Sequence, residues 1–241
     1  MKKLLTIAVC ASAVAAFATT NVTCGTVGVT AVTSSLTNTV VAVSFTDLAS
    51  SGNITVSNIV KTANLAVDDI LYVFGGSSYE SYTLKESGGV KYWDKTVNYT
   101  LGSGGLTASE SVAASVATLA VGQGLWLVRG PNWDGKEFTF YIYGKPANAR
   151  TVSVSAGSNL IGNPTASAVS PTVSGASTGD QVQIPQNYTF PRTYTWDGDK
   201  KKWRYTDPGS RKKVECDALP EIPAGTGFWY VAKGTSTTIS F

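Results

Sequence analysis

One ordered set of landmarks occurs twice in this chain. Asp68-Asp69-Ile70-Leu71-Tyr72, Tyr92-Trp93-Asp94, Val121-Gly122-Gln123-Gly124-Leu125-Trp126-Leu127-Val128 and Phe138-Thr139-Phe140 follow one another in the first half. Gly179-Asp180-Gln181-Val182-Gln183, Thr195-Trp196-Asp197, Ala224-Gly225-Thr226-Gly227-Phe228-Trp229-Tyr230-Val231 and Ile239-Ser240-Phe241 follow in the second. Landmarks that recur in one order mark a duplicated structural unit. The fold is therefore expected to hold two related units, and none of the repeated residues has the look of a reaction centre.

The ends of the chain bound the rest. Lys2 and Lys3 precede an apolar run from Leu4 to Phe17, with small residues around Ala16-Phe17-Ala18. That pattern reads as a secretory signal peptide over residues 1–18, and its apolar run is too short to span a bilayer. Without Lys2 and Lys3 the formal charge of +3 becomes 3 − 2 = +1, so the basic balance says nothing of nucleic acid as a partner. Removing the signal leaves Cys24 and Cys216. One bridge between them and two free thiols are both open readings in an exported chain.

Charged residues make up 15% of the chain against a usual ~25%, which together with abundant Gly, Ser, Thr and Val suits β-structure rich in turns. Residues 19–40 show no helical period and read as an extended N-terminal arm, either a first strand or a leader. Alternation begins at Val41, Val43 and Phe45 and continues through Ile70, Tyr72 and Phe74, giving a first β unit over 41–145. One segment departs from this pattern. Thr107-Ala108-Ser109-Glu110 has the spacing of a capping box, and Val112, Val116 and Leu119 follow at helical intervals before Gly122. The spacing predicts a helix over about 108–120, in the first unit only.

Pro146 and Asn148 mark a boundary, and a second β unit occupies 150–241. Tyr194 and Trp196 alternate before Asp197-Gly198, and Trp203 and Tyr205 alternate after Lys202, which reads as an aromatic β-hairpin. Asn159-Leu160-Ile161-Gly162-Asn163-Pro164, the Trp196-Asp197-Gly198 hairpin and Pro223-Ala224-Gly225-Thr226-Gly227-Phe228-Trp229-Tyr230 together resemble a recurring β-module. That module belongs to secreted and surface proteins of Bacteroidetes- and Verrucomicrobia-like bacteria. The resemblance covers the second unit and implies an exported β fold, with no activity attached.

Several chemistries are excluded or weakened by residue types alone. The chain has no histidine, so neither a Ser-His-Asp nor a Cys-His system is available, and no histidine-bearing zinc site is either. No cofactor is expected. A glycoside hydrolase needs only two carboxylates, and Asp68, Asp69, Asp94, Asp134, Asp180 and Asp197 are candidates. Three of these follow Trp, however, and Asp69 and Asp180 precede strands, so turn chemistry accounts for them more simply. Trp126 and Trp229 fall at matching places on apolar strands and read as core or interface anchors. Seven of the 19 basic residues lie within positions 200–213, interleaved with acidic ones, as in a solvated hairpin tip able to meet an anionic polymer or surface.

These readings converge on a mainly β protein of two tandem related sandwich- or barrel-like units, with one short helix in the first. The expected role is non-enzymatic: a secreted or cell-surface structural or adhesive protein that self-assembles or meets other surface proteins. The alternative is carbohydrate binding through Tyr194, Trp196, Lys202, Trp203 and Tyr205, with a polysaccharide as partner. Carboxylate-dependent glycoside hydrolysis ranks third. No nucleic acid and no transmembrane helix in the mature chain enter the expectation.

Overall fold

The computed structural model describes residues 18–24, 27–34, 38–43, 45–46, 53–58, 65–74, 79–95, 97–102, 105–110, 117–146, 151–186, 189–234 and 237–241. The signal peptide expected over 1–18 lies outside these residues, apart from Ala18. The first half contributes β1 (Ala18–Cys24), β2 (Val27–Ser34), β3 (Asn38–Ala42), β4 (Phe45–Thr46), β5 (Ile54–Thr55), β6 (Ile70–Phe74) and β7 (Tyr79–Ser87). It continues with β8 (Val90–Lys95), β9 (Val97–Gly102), β10 (Gly105–Glu110), β11 (Thr118–Leu119), β12 (Gly124–Val128) and β13 (Phe138–Pro146). The second half contributes β14 (Thr151–Val154), β15 (Gly157–Gly162), β16 (Thr172–Ser174), β17 (Gln181–Gln186) and β18 (Thr189–Asp197). It ends with β19 (Lys202–Thr206), β20 (Lys213–Cys216), β21 (Gly227–Ala232) and β22 (Thr237–Ser240).

The described strands form antiparallel sheets, and none of these closes into a barrel. A five-stranded sheet of order β3-β12-β6-β7-β8 faces a four-stranded sheet of order β1-β2-β13-β4. A six-stranded sheet of order β15-β21-β17-β18-β19-β20 is accompanied by a three-stranded sheet of order β14-β22-β16. Period-two alternation decides which side chains turn inward. Leu71, Val73, Tyr82, Leu84, Trp93, Leu125 and Leu127 of the five-stranded sheet meet Phe138 and Ile142 of β13. Val182, Tyr194, Trp203, Phe228 and Tyr230 of the six-stranded sheet meet Val154 and Ile239. Each large side chain so buried contributes about 1.5–3 kcal/mol relative to exposure.

Two expectations change at this point, and one open alternative, a first strand or a leader at the N-terminus, is decided for strand. The helix predicted over 108–120 is absent from its described positions. Thr107 to Glu110 lie in β10, paired with Val97–Thr100 of β9, and Thr118–Leu119 form β11 against β5; residues 111–116 lie outside the described set. A Ser/Thr-x-x-Glu spacing is local, and cross-strand pairing with β9 outweighs it. Among the described residues the only helical element is the 3-10 turn Val56–Asn58. The segment read as an arm is a hairpin of β1 and β2, and β2 pairs along Phe138–Gly144 of β13. Finally, the two Trp-Asp landmarks are not equivalent: Trp93 sits on the second strand of its hairpin opposite Leu84, whereas Trp196 sits on the first strand opposite Trp203.

The two large sheets meet at their β3 and β15 ends through a matched set of backbone contacts. Ala42 N donates to Gly225 O at 2.8 Å, and Gly162 N donates to Gly122 O at 3.0 Å. Val41 bridges Thr226, and Ile161 bridges Gln123. In register, Ala42 opposes Gly124 as Gly162 opposes Gly227, so the two sets exchange roles between the halves. Close approach requires the glycine here. A Cβ on Gly162 would come within 2.5 Å of the Ala42 Cβ and 2.6 Å of Thr226 O. Over this joint the Trp126 and Trp229 rings meet edge to face with centroids 6.1 Å apart, and Trp229 Nε1 donates to the Tyr79 hydroxyl at 3.1 Å.

Candidate functional site

The buried carboxylates Asp69 and Asp180 are the most chemically loaded groups in the two halves, and both hold turns together. Each follows a residue with positive φ, Asp68 at 72° and Gly179 at 92°. Asp69 N donates to Ala66 O while Asp69 O accepts from Leu84 N; Asp180 N donates to Ser177 O while Asp180 O accepts from Trp196 N. The side chains complete the parallel. Asp69 accepts from Ala66 N at 2.9 Å and Gly130 N at 2.8 Å, and Asp180 from Ser177 N at 3.0 Å and Lys233 N at 2.7 Å. The third donor differs. Arg129 Nε, itself buried, lies 3.0 Å from Asp69, whereas the Tyr230 hydroxyl donates to Asp180 at 2.7 Å. Burial, reinforced by that bond to Asp180, pushes the Tyr230 hydroxyl well above the ordinary tyrosine value. The Arg129 guanidinium also stacks over Phe138, 4.1 Å from its centroid.

The remaining carboxylates have structural partners as well. Asp134 accepts from Lys136 N, and its salt bridge with Lys136 lowers its pKa. Asp197 Oδ1 accepts from Asp199 N and Lys200 N, closing the β18–β19 turn, and Asp197 Oδ2 contacts the Arg204 guanidinium. Asp68 accepts from Lys85 at 2.7 Å and Asn132 at 3.0 Å, and the bond to Asp68 raises the Lys85 pKa. Asp94 is exposed on β8. Among the described residues no three His, Cys, Asp or Glu side chains gather as a metal site would require.

The aromatic hairpin is divided by the pleat of the sheet. Tyr194 and Trp203 are buried in the core of the second half, and Trp196 and Tyr205 pack partly buried against it. Tyr194 lies 5.2 Å from Tyr205, and Trp196 lies 5.2 Å from Trp203, centroid to centroid. These rings ladder with one another on the inner face. Lys202 is on the outer face and pairs with Asp217 at 3.2 Å. Cys216 has a free thiol directed at Trp203 O, and burial raises its pKa; the side chain of Cys24 lies outside the described residues.

The outer face of the same hairpin presents what the inner face does not. Gln181, Thr195, Arg204 and Glu215 succeed one another across β17, β18, β19 and β20, each directly opposite the next. Beside that row, Trp229 opposes Gln183, Gln183 opposes Thr193, and Thr206 opposes Lys213. An open groove of about 950 Å³ wraps this end of the hairpin, lined by Thr193, Thr195, Arg204 and Lys213 of the outer face and by the partly buried Trp196 and Tyr205. Arg192 enters the groove with its guanidinium 5.2 Å from the Tyr205 ring centroid, and Pro191 and Pro208 also line it. Hydrogen bonds from Ser210, then Gly209, hold Asp207 below the usual carboxylate range, with help from the Arg192 charge. The Arg204 guanidinium lies between two carboxylates, Asp197 at its Nη2 and Glu215, whose oxygen is 3.7 Å from the buried Nε. Sequence reasoning fastened on the rings and passed over Thr193, Thr195 and Thr206, although their alternation with Tyr194 and Tyr205 is a period-two signal for an opposite, polar face.

The asparagines of the Asn159–Pro164 segment are accounted for by loop structure. Asn163 is fully buried, donates to Ser167 O at 2.7 Å and Ile222 O at 2.8 Å, and accepts from Thr165. Asn159 ties Ser155, Gly157 and Tyr230 together in the same way. No known protein family, curated protein or solved structure matches the chain.

Proposed function

We propose that this chain is a secreted or cell-surface, non-enzymatic structural or adhesive protein, built from two copies of one sandwich-like β unit. The observation that carries this reading is the pair of buried turns at Asp69 and Asp180. The groups with the greatest chemical potential in each half are committed to backbone amides and a single internal donor, as in a scaffold. The matching strand orders, β3-β12-β6-β7-β8 against β15-β21-β17-β18-β19, support duplication. The charged-then-apolar leader and the resemblance of the second unit to exported bacterial β-modules support export.

Assembly through an edge strand fits the same reading. β8 bonds to β7 on one side only among the described strands, and it carries the two most exposed large apolar side chains, Val90 at 67% and Tyr92 at 42%. An exposed apolar edge is a template for another strand. Light scattering on the mature chain is expected to show oligomers that grow with concentration and are lost in Tyr92→Lys. A strict monomer at every concentration removes self-assembly from the proposal. Fractionation with mass spectrometry tests export: the expected product begins near residue 19 outside the cytoplasm, and an intact Met1 form confined to the cytoplasm contradicts it.

A further inference from the structure

We infer that copies of this chain join head to tail, the β8 edge of one pairing antiparallel with the β20 edge of the next. The partner thus assigned to the self-assembling edge is β20 rather than a second β8, and it stands on the self-assembly reading given above. Strand order marks the vacancy. The order β3-β12-β6-β7-β8 matches β15-β21-β17-β18-β19, and the second sheet carries one strand more, β20, beside β19. Trp203 of β19 faces Cys216 of β20, whereas Trp93 of β8, opposite Leu84, has no partner strand on its other side among the described residues. Trp93 is 5% exposed, and its indole N–H meets no acceptor among the described residues. The first sheet stops one strand short of the second.

The side chains of the two edges are complementary. On the outer face β8 presents Val90, Tyr92 and Asp94, and β20 presents Lys213 and Glu215, all exposed. Glu215 is engaged by Lys200, but neither Asp94 nor Lys213 takes part in a salt bridge among the described residues. Lys85, which feels the Asp94 charge, is bonded to Asp68. In the antiparallel register that sets Asp94 against Lys213, Trp93 meets Val214 and Tyr92 meets Glu215. Opposite charges facing across neighbouring strands favour pairing. The inner face then runs on from Trp93 to Val214 as it runs from Tyr205 to Val214 within one chain, and the Tyr92 hydroxyl is a donor for the Glu215 carboxylate. A β8-β8 pair would bring the two outer faces together, so Asp94 would face Val90, Tyr92 or another Asp94 and never a cation. A β20-β20 pair would leave the apolar β8 edge bare. Both edges lie across their sheets from the β3 and β15 ends that form the joint, so two different patches meet. A contact of that kind leaves one free edge at each end, and growth does not stop at a dimer.

The test is sedimentation velocity of the mature chain over a range of concentrations. The wild type is expected to form species larger than a dimer that increase with concentration. Asp94→Lys and Lys213→Glu should each weaken association by about tenfold or more, because like charges then face each other across the contact. Both residues are exposed, so both variants should keep the wild-type melting temperature. Mixing the two variants should restore assembly, and so should the double change in one chain, since each swapped edge again meets its opposite. Growth that stops at a dimer overturns head-to-tail pairing while self-assembly stands. Loss in Asp94→Lys with wild-type association in Lys213→Glu does the same, as does failure of both the mixture and the double variant to recover. A wild type that stays monomeric at every concentration removes the inference together with the self-assembly reading.

Discussion

The Asp69 and Asp180 turns have the same backbone and the same two amide donors but differ in the third partner. In the first, the partner is the buried guanidinium of Arg129, stacked between Phe138 and Trp133; in the second, it is the neutral hydroxyl of Tyr230. The difference teaches that the turn is defined by the carboxylate and its amides, while the remaining oxygen capacity can be met by a charge or a dipole. It also separates their energetics. A buried ion pair depends on both members, because removing one leaves an uncompensated charge. A hydroxyl donor can be lost at the cost of one bond.

The comparison is broken most forcefully at Arg129. Arg129→Met should destabilise the protein by about 3–5 kcal/mol, and the double change Asp69→Asn with Arg129→Met should recover part of that loss, because it removes the uncompensated charge while leaving a side-chain oxygen to accept from the turn amides. Chemical denaturation measures both, and a single variant as costly as the double one would remove the ion-pair account. Next in size is Gly162→Ala at the joint. The added Cβ meets Ala42 and Thr226 O, and overpacking of this kind costs about 1–3 kcal/mol. Calorimetry should show the two halves melting more independently in that variant.

Tyr230→Phe should cost only about 1 kcal/mol, since Asp180 keeps its two amide bonds. The same residue sets a pH dependence. Burial first, and then hydrogen bonding to Glu80 and Asp180, raises the Tyr82 and Tyr230 pKa values above the ordinary value of about 10. In the folded state these hydroxyls hold their protons longer than in the unfolded chain. Their contribution is complete below about pH 10 and is lost as the pH climbs toward the folded values. Stability should therefore fall on the alkaline side, and less steeply in Tyr230→Phe. The smallest effect belongs to the exposed pair Lys136 and Asp134, where Lys136→Ala should leave the melting temperature unchanged.

Much of this was legible in the sequence, for physical reasons that also mark the limits. Alternation located β6, β12, β18, β19 and β21, because an inward face must be apolar at every second residue. The repeated Asp before a strand was visible because its carboxylate serves backbone amides, which are present whatever the neighbouring side chains are. The helix over 108–120 was misread since a capping-box spacing does not reveal that Val97–Gly102 lies close enough to pair. The two Trp-Asp landmarks were matched wrongly for a related reason. Gly88 and Gly89 alone, both at positive φ, close the first hairpin, whereas residues 198–201 separate Asp197 from Lys202 in the second. A local motif can thus sit on either strand of its hairpin. The groove lay in residues of ordinary type whose meaning depends on which face they share.

The central claim is that the two halves are docked through matched backbone bonds, Ala42 to Gly225 and Gly162 to Gly122. Native-state amide hydrogen exchange tests it most directly, read residue by residue. The account expects the Ala42 and Gly162 amides to exchange together, as slowly as those of Leu84 and Trp196, which donate to the buried Asp69 and Asp180 carbonyls. Fast exchange at Ala42 and Gly162 while Leu84 and Trp196 stay protected would contradict it, leaving two sheets without a shared joint.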